Sequence, residues 1–172
     1  MERIEILDAS GGEERIIRDL AWATWWTAYR DIISDEQIHY MLETIYSEEI
    51  LRRQIAEGDQ QFIILRVAGQ PSGFAAYSAR ANDPSIYKLH KLYVIPGCHG
   101  KGFGRRLLNE VTSRLRARQV KALELNVNRQ NPALKFYESC GFVVIRQEDI
   151  PIGPYWMNDY VMRLSLDTQP IA

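Results

Sequence analysis

The stretch Cys98-His99-Gly100-Lys101-Gly102-Phe103-Gly104 carries the strongest structural signal in the chain. It follows an apolar, strand-like run that ends at Pro96, and a helical pattern begins near Gly102. Because glycine has no side chain, alternating glycines let consecutive backbone N–H groups approach an anion at a helix N-terminus. The stretch therefore predicts a loop that binds a phosphate or a pyrophosphate.

The residues after this loop have the spacing of an amphipathic helix. Its apolar positions recur on one side, and its other face is polar and basic. The apolar positions are Phe103, Leu107, Leu108, Val111 and Leu115.

Two nucleotide-binding motifs compete for the same loop. Gly97 and Gly102 have the spacing of a Walker loop, but Phe103 and Gly104 follow where that motif requires a lysine and a hydroxyl residue for magnesium, so the motif is excluded. A dinucleotide fingerprint, Gly-x-Gly-x-x-Gly, meets an arginine at its last glycine position. Glu124 lies about the right distance downstream for a ribose contact, so this second alternative stays open.

The loop resembles the Gln/Arg-x-x-Gly-x-Gly/Ala motif of the GNAT superfamily of acetyl-CoA-dependent N-acetyltransferases. It departs from that motif at His99, although an imidazole can still donate a hydrogen bond to phosphate. Some thirty residues on, the stretch Asn131-Pro132-Ala133-Leu134-Lys135-Phe136-Tyr137-Glu138-Ser139-Cys140-Gly141-Phe142 resembles the same family's Asn-x-x-Ala-x-x-Phe-Tyr-x-x-x-Gly-Phe. Two motifs in the right order make the resemblance specific, and it runs from about Ile4 to Leu166.

Two further segments look like the PaiA-like polyamine acetyltransferases within that superfamily. They are Thr24-Trp25-Trp26-Thr27-Ala28-Tyr29-Arg30 and Leu89-His90-Lys91-Leu92-Tyr93-Val94. The resemblance implies a single GNAT domain over residues 1–172 with an α/β (α+β) fold. Its mixed, mostly antiparallel sheet of about seven strands would splay at the cofactor slot and be flanked by helices.

Periodicity, capping residues and turn residues predict the individual elements. Strands are predicted at Arg3–Leu7, Gln61–Val67, Ser72–Ala79, Ser85–Ile95, Leu123–Val127, Phe142–Ile150 and Tyr160–Leu166. Besides the helix after the loop, helices are predicted over Ile16–Ala28, from an Asp35 cap, from Ser47 to Gly58, and over Pro132–Cys140 with an Asn131 cap.

The composition excludes several classes of protein. The chain has 172 residues, of which 46% are hydrophobic and 25% charged, with a net charge of −1 that gives no general attraction to nucleic acid or anionic membrane. No apolar run has the length of a signal peptide or a membrane span, so a cytoplasmic location is expected. Cys98 and Cys140 are too few for a disulfide framework and lack the spacing of a metal site, so two free thiols are expected.

The resemblance implies acetyl-CoA as the cofactor. Its pantetheine arm would pair with the main chain of Leu92 to Val94, where strands Lys88 to Ile95 and Ala122 to Val127 splay apart. Its pyrophosphate would lie on the loop. The implied cofactor contacts are Leu92, Tyr93, Val94, His99, Gly100, Lys101, Gly102, Phe103, Gly104, Arg105, Asn131 and Lys135.

Acetyl transfer to an amine requires a proton acceptor and a proton donor. A primary amine has a pKa near about 10.4, so it is mostly protonated at neutral pH and must lose a proton before it attacks. His90 is one candidate base, and Glu124 acting through water is another. Tyr137 is the predicted general acid for the departing thiolate. A direct transfer in a ternary complex is favoured, because nothing near either cysteine suggests activation.

The acceptor is the least defined part of the prediction. Aromatic and acidic side chains from the first two helices suit a cationic amine, and the candidates are Trp26, Tyr29, Asp31 and Glu36, with Asp35, Tyr155 and Trp156 also considered. The PaiA resemblance implies a polyamine such as spermidine. An amine antibiotic, an amino acid, and a protein N-terminus or lysine stay open.

Two functions without catalysis are also considered. A non-catalytic acyl-CoA-binding regulatory module would share the cofactor loop, and it predicts cofactor binding with no turnover of any amine. A nucleic-acid-binding regulator is disfavoured by the net charge. Relatives that pair through sheet edges or late strands imply a homodimer.

Overall fold

The computed structural model describes residues 1–167, which contain the predicted alternation of helices and strands. In chain order the elements are β1 (Ile4–Asp8), α1 (Glu14–Tyr29), α2 (Asp35–Ile45), α3 (Glu48–Glu57), β2 (Gln61–Val67), β3 (Gln70–Arg80), β4 (Asp83–Val94), a 3₁₀ turn (Pro96–Cys98), α4 (Phe103–Ala117), β5 (Ala122–Asn128), α5 (Ala133–Ser139), β6 (Val143–Ile152) and β7 (Tyr155–Ser165).

The strands follow the order β1-β2-β3-β4-β5-β7-β6. β1–β2, β2–β3, β5–β7 and β6–β7 are antiparallel, whereas β4 and β5 are parallel. The prediction of a mixed, mostly antiparallel sheet is therefore confirmed, and β1 lies at one edge of that sheet.

The pairing of β4 with β5 corrects one boundary. Ile86 to Leu89 pair with Ala122 to Leu125, so Lys88 and Leu89 lie within a regular parallel ladder. Both residues had been assigned to the part of β4 that splays away.

The described chain forms two compact units. The first contains Met1–Tyr77 and Lys91–Leu108, and the second contains Ser78–His90 and the residues from Asn109 on. The single domain over residues 1–172 stays a prediction. No helix within residues 1–167 is long and apolar enough to cross a membrane.

The first unit is built around an aromatic cluster beneath its three helices. Trp25 lies 4.4 Å from Tyr29, ring centre to ring centre, and its indole N–H donates to the Tyr46 hydroxyl at 3.3 Å. Tyr93 of β4 packs against Trp25 and Phe74. These side chains fix α1 and α2 to β3 and to the end of β4 that precedes the glycine loop.

Local capping explains where the helices of this unit begin and end. The Ser47 hydroxyl accepts from the backbone N–H of Ile50, and Gly58 ends α3 with φ +71°, both as predicted. The cap of α2 corrects the prediction by one residue. Ser34, not Asp35, is the capping residue, because its hydroxyl accepts from the backbone N–H of Gln37.

The core of the second unit lies under β5 and β7. Leu123, Leu125 and Val127 point to one side of β5 and are 5% exposed or less. β6 and β7 form a longer hairpin than predicted, since β6 continues to Ile152 and β7 begins at Tyr155. The predicted end of β6 was Ile150.

Candidate functional site

The glycine loop has the backbone conformation that its sequence predicts. Gly100 and Gly102 have φ values of +76° and +80°, which favour glycine, and a Cβ atom at either position would meet no atom within 4 Å. The loop leads directly into α4, a helix of 15 residues. The first backbone N–H groups of a helix have no acceptor within it, so those of Phe103 and Gly104 point into the loop. This arrangement fits a pyrophosphate.

The side chains of the loop divide into one that packs in the core and two that are exposed and positively charged. Phe103 is 5% exposed and belongs to the core, so only its main chain is available to a ligand. Lys101 and Arg105 are exposed at the start of α4. They give the loop a positive charge next to the helix N-terminus, where both effects favour an anion.

His99 has a structural contact that the sequence did not reveal. Its Nε2 atom lies 2.7 Å from the carbonyl oxygen of Val94, so this nitrogen carries the hydrogen and donates it. A hydrogen bond from His99 to phosphate would therefore require Nδ1 to carry a second hydrogen, as it does in the imidazolium form. The imidazole thus ties the loop to the last residue of β4.

The main chain of β4 presents alternate residues on opposite sides. The Tyr93 carbonyl oxygen faces β3, because a Cβ atom on Gly73 would lie 2.8 Å from it, and the Ile95 N–H donates to the Ser72 carbonyl. Since neighbouring residues of a strand point their polar groups to opposite sides, Leu92 and Val94 present theirs away from β3. Of the three predicted pantetheine contacts, these two have the required orientation.

The predicted acceptor residues of the first unit differ in accessibility. Tyr29 is 7% exposed, and its hydroxyl lies 3.1 Å from that of Tyr93. Trp26 is partly exposed, whereas Asp31 and Glu36 are fully on the surface. Tyr29 is therefore part of the aromatic cluster, and Trp26 is the more accessible of the two aromatic candidates.

The second unit holds the predicted general acid. Tyr137 lies on α5 and is 9% exposed, with its ring edge-on to Phe136 and Phe142 at 5.2 and 5.6 Å between centres. Asn131 accepts a hydrogen bond from the Ala133 N–H through Oδ1 at 2.9 Å, although the N-cap residue is Pro132 rather than the predicted Asn131. Lys135 is exposed on the same helix.

Glu124 is held between two arginines, which the sequence did not predict. Its carboxylate accepts from Arg80 Nε at 2.7 Å and from Arg163 Nη2 at 2.6 Å, and the residue is 2% exposed. Burial raises the pKa of Glu124, but the hydrogen bond from Arg163 and the charges of both arginines outweigh it and lower the pKa overall. A carboxylate held in this way is a weak proton acceptor.

His90 is in a different environment. Its Nε2 atom lies 2.7 Å from the Ser78 hydroxyl oxygen, and the residue is partly exposed. The serine orients the imidazole ring without neutralising a charge. Unlike Glu124, which two arginines bind, His90 is hydrogen-bonded to a neutral hydroxyl.

Lys88 and Asp159 are the charged residues of this region that the sequence analysis missed as site candidates. Asp159 is 6% exposed, and burial raises its pKa. Lys88 is partly buried, and burial lowers its pKa. In the sequence, Lys88 lies between Tyr87 and Leu89 of a predicted strand, whereas Asp159 follows Asn158 and precedes the predicted strand Tyr160–Leu166.

A glycine loop with positive φ at Gly100 and Gly102, at the N-terminus of a long helix, is the arrangement expected of a protein that binds the pyrophosphate of a cofactor such as coenzyme A. Residues 29–156 match the family model described as the acetyltransferase (GNAT) domain, so the chain belongs to the GNAT family of N-acetyltransferases. Its cofactor is acetyl-CoA.

Named relatives share the fold and differ in their acceptors. The chain is 28% identical to a spermidine N(1)-acetyltransferase of Thermoplasma acidophilum, over 82% of this chain and 89% of the relative. It is 29% identical to the L-amino acid N-acyltransferase MnaT of Escherichia coli, over 77% and 89%. The crystal structure of the PaiA N-acetyltransferase from Thermoplasma acidophilum with coenzyme A superposes with a TM-score of 0.82 at 26% identity, over 95% and 99%.

Proposed function

We propose that the protein transfers the acetyl group of acetyl-CoA to the primary amine of a small molecule, by direct transfer in a ternary complex. The observation that carries the proposal is the loop in which Gly100 and Gly102 adopt positive φ at the N-terminus of α4, within a chain of the GNAT family. Exposed Lys101 and Arg105 support binding of the pyrophosphate at that loop.

Acetyl-CoA supplies the activated acyl group: the amine nitrogen forms a bond to the acetyl carbon, the carbon–sulfur bond breaks, and one proton leaves nitrogen while one is added to sulfur. The residues of the chain hold and move these protons. An ordinary phenol has a pKa of about 10 and is protonated at neutral pH, and the Tyr137 hydroxyl is the proposed donor to the leaving sulfur.

His90 is the proposed proton acceptor for the ammonium form of the substrate. An imidazole ordinarily has a pKa of about 6.5 and can take a proton at neutral pH, whereas the Glu124 carboxylate is bound by Arg80 and Arg163. Replacing His90 by glutamine keeps a hydrogen-bonding side chain at Ser78 and removes the base. The His90→Gln variant should shift the optimum for turnover to higher pH, where the free amine is more abundant.

The named relatives support two different classes of acceptor. The polyamine prediction is supported by the relative named as a spermidine acetyltransferase, while the relative named MnaT acts on L-amino acids. Release of coenzyme A from acetyl-CoA, measured across spermidine, amino acids, amine antibiotics and peptide N-termini, decides among these classes.

The same measurement separates an enzyme from a regulatory module. Binding of coenzyme A by calorimetry without turnover of any amine would favour a non-catalytic acyl-CoA-binding role. Absence of coenzyme A binding would remove the proposal altogether.

We also propose that the chain forms a homodimer in the cytoplasm. Its support is β6, an edge strand whose residues from Val143 to Gln147 are all exposed. An exposed apolar edge strand is a template for pairing with another chain.

A further inference from the structure

Asp159 is a buried carboxylate, and one of its oxygens accepts no hydrogen bond from the described residues. It lies on β7 and is 6% exposed. Its Oδ2 atom accepts a long hydrogen bond from Asn126 Nδ2 at 3.4 Å, while Oδ1 is buried and has no hydrogen-bond donor among the described residues. Leaving a charged oxygen unsatisfied in this way is unfavourable, so the arrangement indicates a missing donor.

Lys88 is the matching cation on β4. It is partly buried, yet within residues 1–167 its ammonium group forms neither an ion pair nor a hydrogen bond. Lys88 and Asp159 each lie within electrostatic reach of the other and of Glu148. Lys88 is opposite Glu124 on β5, and Asp159 is opposite Asn128 on β5 and Glu148 on β6. Both side chains therefore lie on the same face of the sheet, two strands apart, and their partners are four positions apart along β5.

The other charges around this pair already have partners. Two arginines bind one carboxylate, and the remaining two each bind a carboxylate of β6. The pairs are Arg80 and Arg163 with Glu124, Arg146 with Glu148 at 3.5 Å, and Arg129 with Asp149. Lys88 and Asp159 are thus the two charged side chains of this cluster without an ion-pair partner in the described chain.

We infer that Lys88 and Asp159 form the acceptor subsite, and that the acceptor is a small zwitterion with a carboxylate beside the amine to be acetylated, as in an α-amino acid. The acceptor carboxylate binds Lys88 Nζ, and the ammonium donates to Asp159 Oδ1. The inference rests on the proposed acetyl transfer. Each orphaned group receives the partner it lacks, through a charge-assisted hydrogen bond.

The same charges disfavour a polyamine at this position. After one ammonium of spermidine has bound Asp159, each further ammonium would be repelled by Lys88, Arg80 and Arg163. Glu124 could not offset this repulsion, because both arginines already bind its carboxylate. Acetylation of a zwitterion also removes its positive charge, so the product loses the contact with Asp159 and keeps only that with Lys88. Loss of this contact favours product release.

The test uses pairs of acceptors that differ only by the carboxylate: L-leucine with isopentylamine, and L-phenylalanine with phenethylamine. The full-length protein is loaded with coenzyme A, and the binding of each compound is measured by calorimetry. A charge-assisted hydrogen bond contributes about 1.5–3 kcal/mol, so at least one amino acid should bind about tenfold or more tightly than its amine counterpart.

Three variants identify the residues responsible. Lys88→Met should reduce the preference to within about twofold, because the amine counterpart never used the lysine. Asp159→Asn should weaken both members of a pair. Lys121→Met removes an exposed lysine from the same unit and should change neither value. Thermal unfolding of each variant verifies folding, and Lys88→Met is expected to be no less stable than the native chain, since it buries no charge.

Two outcomes overturn the inference. One is that the native protein binds neither amino acid or binds the amines as tightly; the other is that Lys88→Met leaves the preference unchanged. The proposed function fails separately, because turnover is measured as coenzyme A release with the same compounds. A carboxylate preference in binding without any turnover would keep the subsite and reject the acetyl transfer.

Discussion

Among single residues, Tyr137 allows the catalytic role of its hydroxyl to be tested apart from the packing of its ring. Tyr137→Phe keeps the ring that contacts Phe136 and Phe142 and removes only the hydroxyl. Because a positioned general acid contributes about 10²–10⁴-fold, turnover should fall by at least about 100-fold while coenzyme A affinity stays within about twofold. Steady-state coenzyme A release and calorimetry measure the two quantities.

The control for this variant is Tyr160→Phe, which removes a hydroxyl from β7 in the same unit. It should retain native turnover. Native turnover in Tyr137→Phe itself would exclude the tyrosine as the acid.

Glu124 gives a prediction about stability and pH. Its folded pKa is lowered, so its stabilising effect is complete above the unfolded value near about 4.3 and is lost as the pH falls through the folded pKa. Glu124→Gln leaves Arg80 and Arg163 without their carboxylate and should lower the free energy of unfolding by about 2 kcal/mol at pH 7.

Urea unfolding measures this difference, which should shrink on acidification below about pH 4 as the native carboxylate is protonated. A difference that persists unchanged in acid would show that the ion pairs are not its cause. Glu110→Gln, in a helical pair with Arg114, is the matched control and should cost no more than about 0.5 kcal/mol.

Residue roles that depend on neighbours in the chain were predictable, and those that depend on distant strands were not. The glycine conformations follow from the loop sequence, and the capping of α3 from Ser47 and Gly58. Glu124 was predicted as a candidate base because nothing adjacent in sequence shows that Arg80 and Arg163, 44 and 39 residues away, reach its carboxylate.

Among the elements, the loop before α4 can be tested as the pyrophosphate site, with a third glycine of the same connection as the control. Gly100→Ala and Gly102→Ala place a side chain at positive φ, which costs about 1–2 kcal/mol in the left-handed region. Coenzyme A should then bind roughly tenfold more weakly, since the N–H groups lose their arrangement. Gly97→Ala lies in the same connection without positive φ or a neighbour within 4 Å, and it should bind coenzyme A as the native chain does. Calorimetry with coenzyme A compares all three, and equal affinities would reject the loop as the pyrophosphate site.

Element boundaries show why prediction was uneven. β2 was predicted at its observed bounds, Gln61–Val67, because an apolar run that begins at Phe62 ends at the Ala68-Gly69 turn, where both residues have positive φ. β6 was predicted too short, since Pro151 indicated a break. Proline is tolerated there because β6 is an edge strand, and only tertiary pairing with β7 reveals that position.

At the scale of the whole molecule, β6 has the sequence of a strand that can pair with its own copy. Val143, Val144 and Ile145 are 60%, 42% and 40% exposed on the outer edge. An antiparallel pair centred on Gln147 would place Arg146 opposite Glu148 of the partner subunit. Opposite charges across antiparallel strands stabilise the pair, and like charges destabilise it.

A charge exchange tests this pairing. Arg146→Glu sets two acidic residues opposite each other at both symmetric positions and should weaken the dimer at least about tenfold in sedimentation equilibrium. The double variant Arg146→Glu with Glu148→Arg restores opposite charges across the twofold axis, so it should restore the dimer while leaving the fold of each chain as it was. Self-pairing through β6 would be contradicted if the native chain sediments as a monomer, or if the double variant fails to recover association. Recovery of the dimer cannot arise from apolar contact alone, because Val144 and Ile145 are the same in all three proteins.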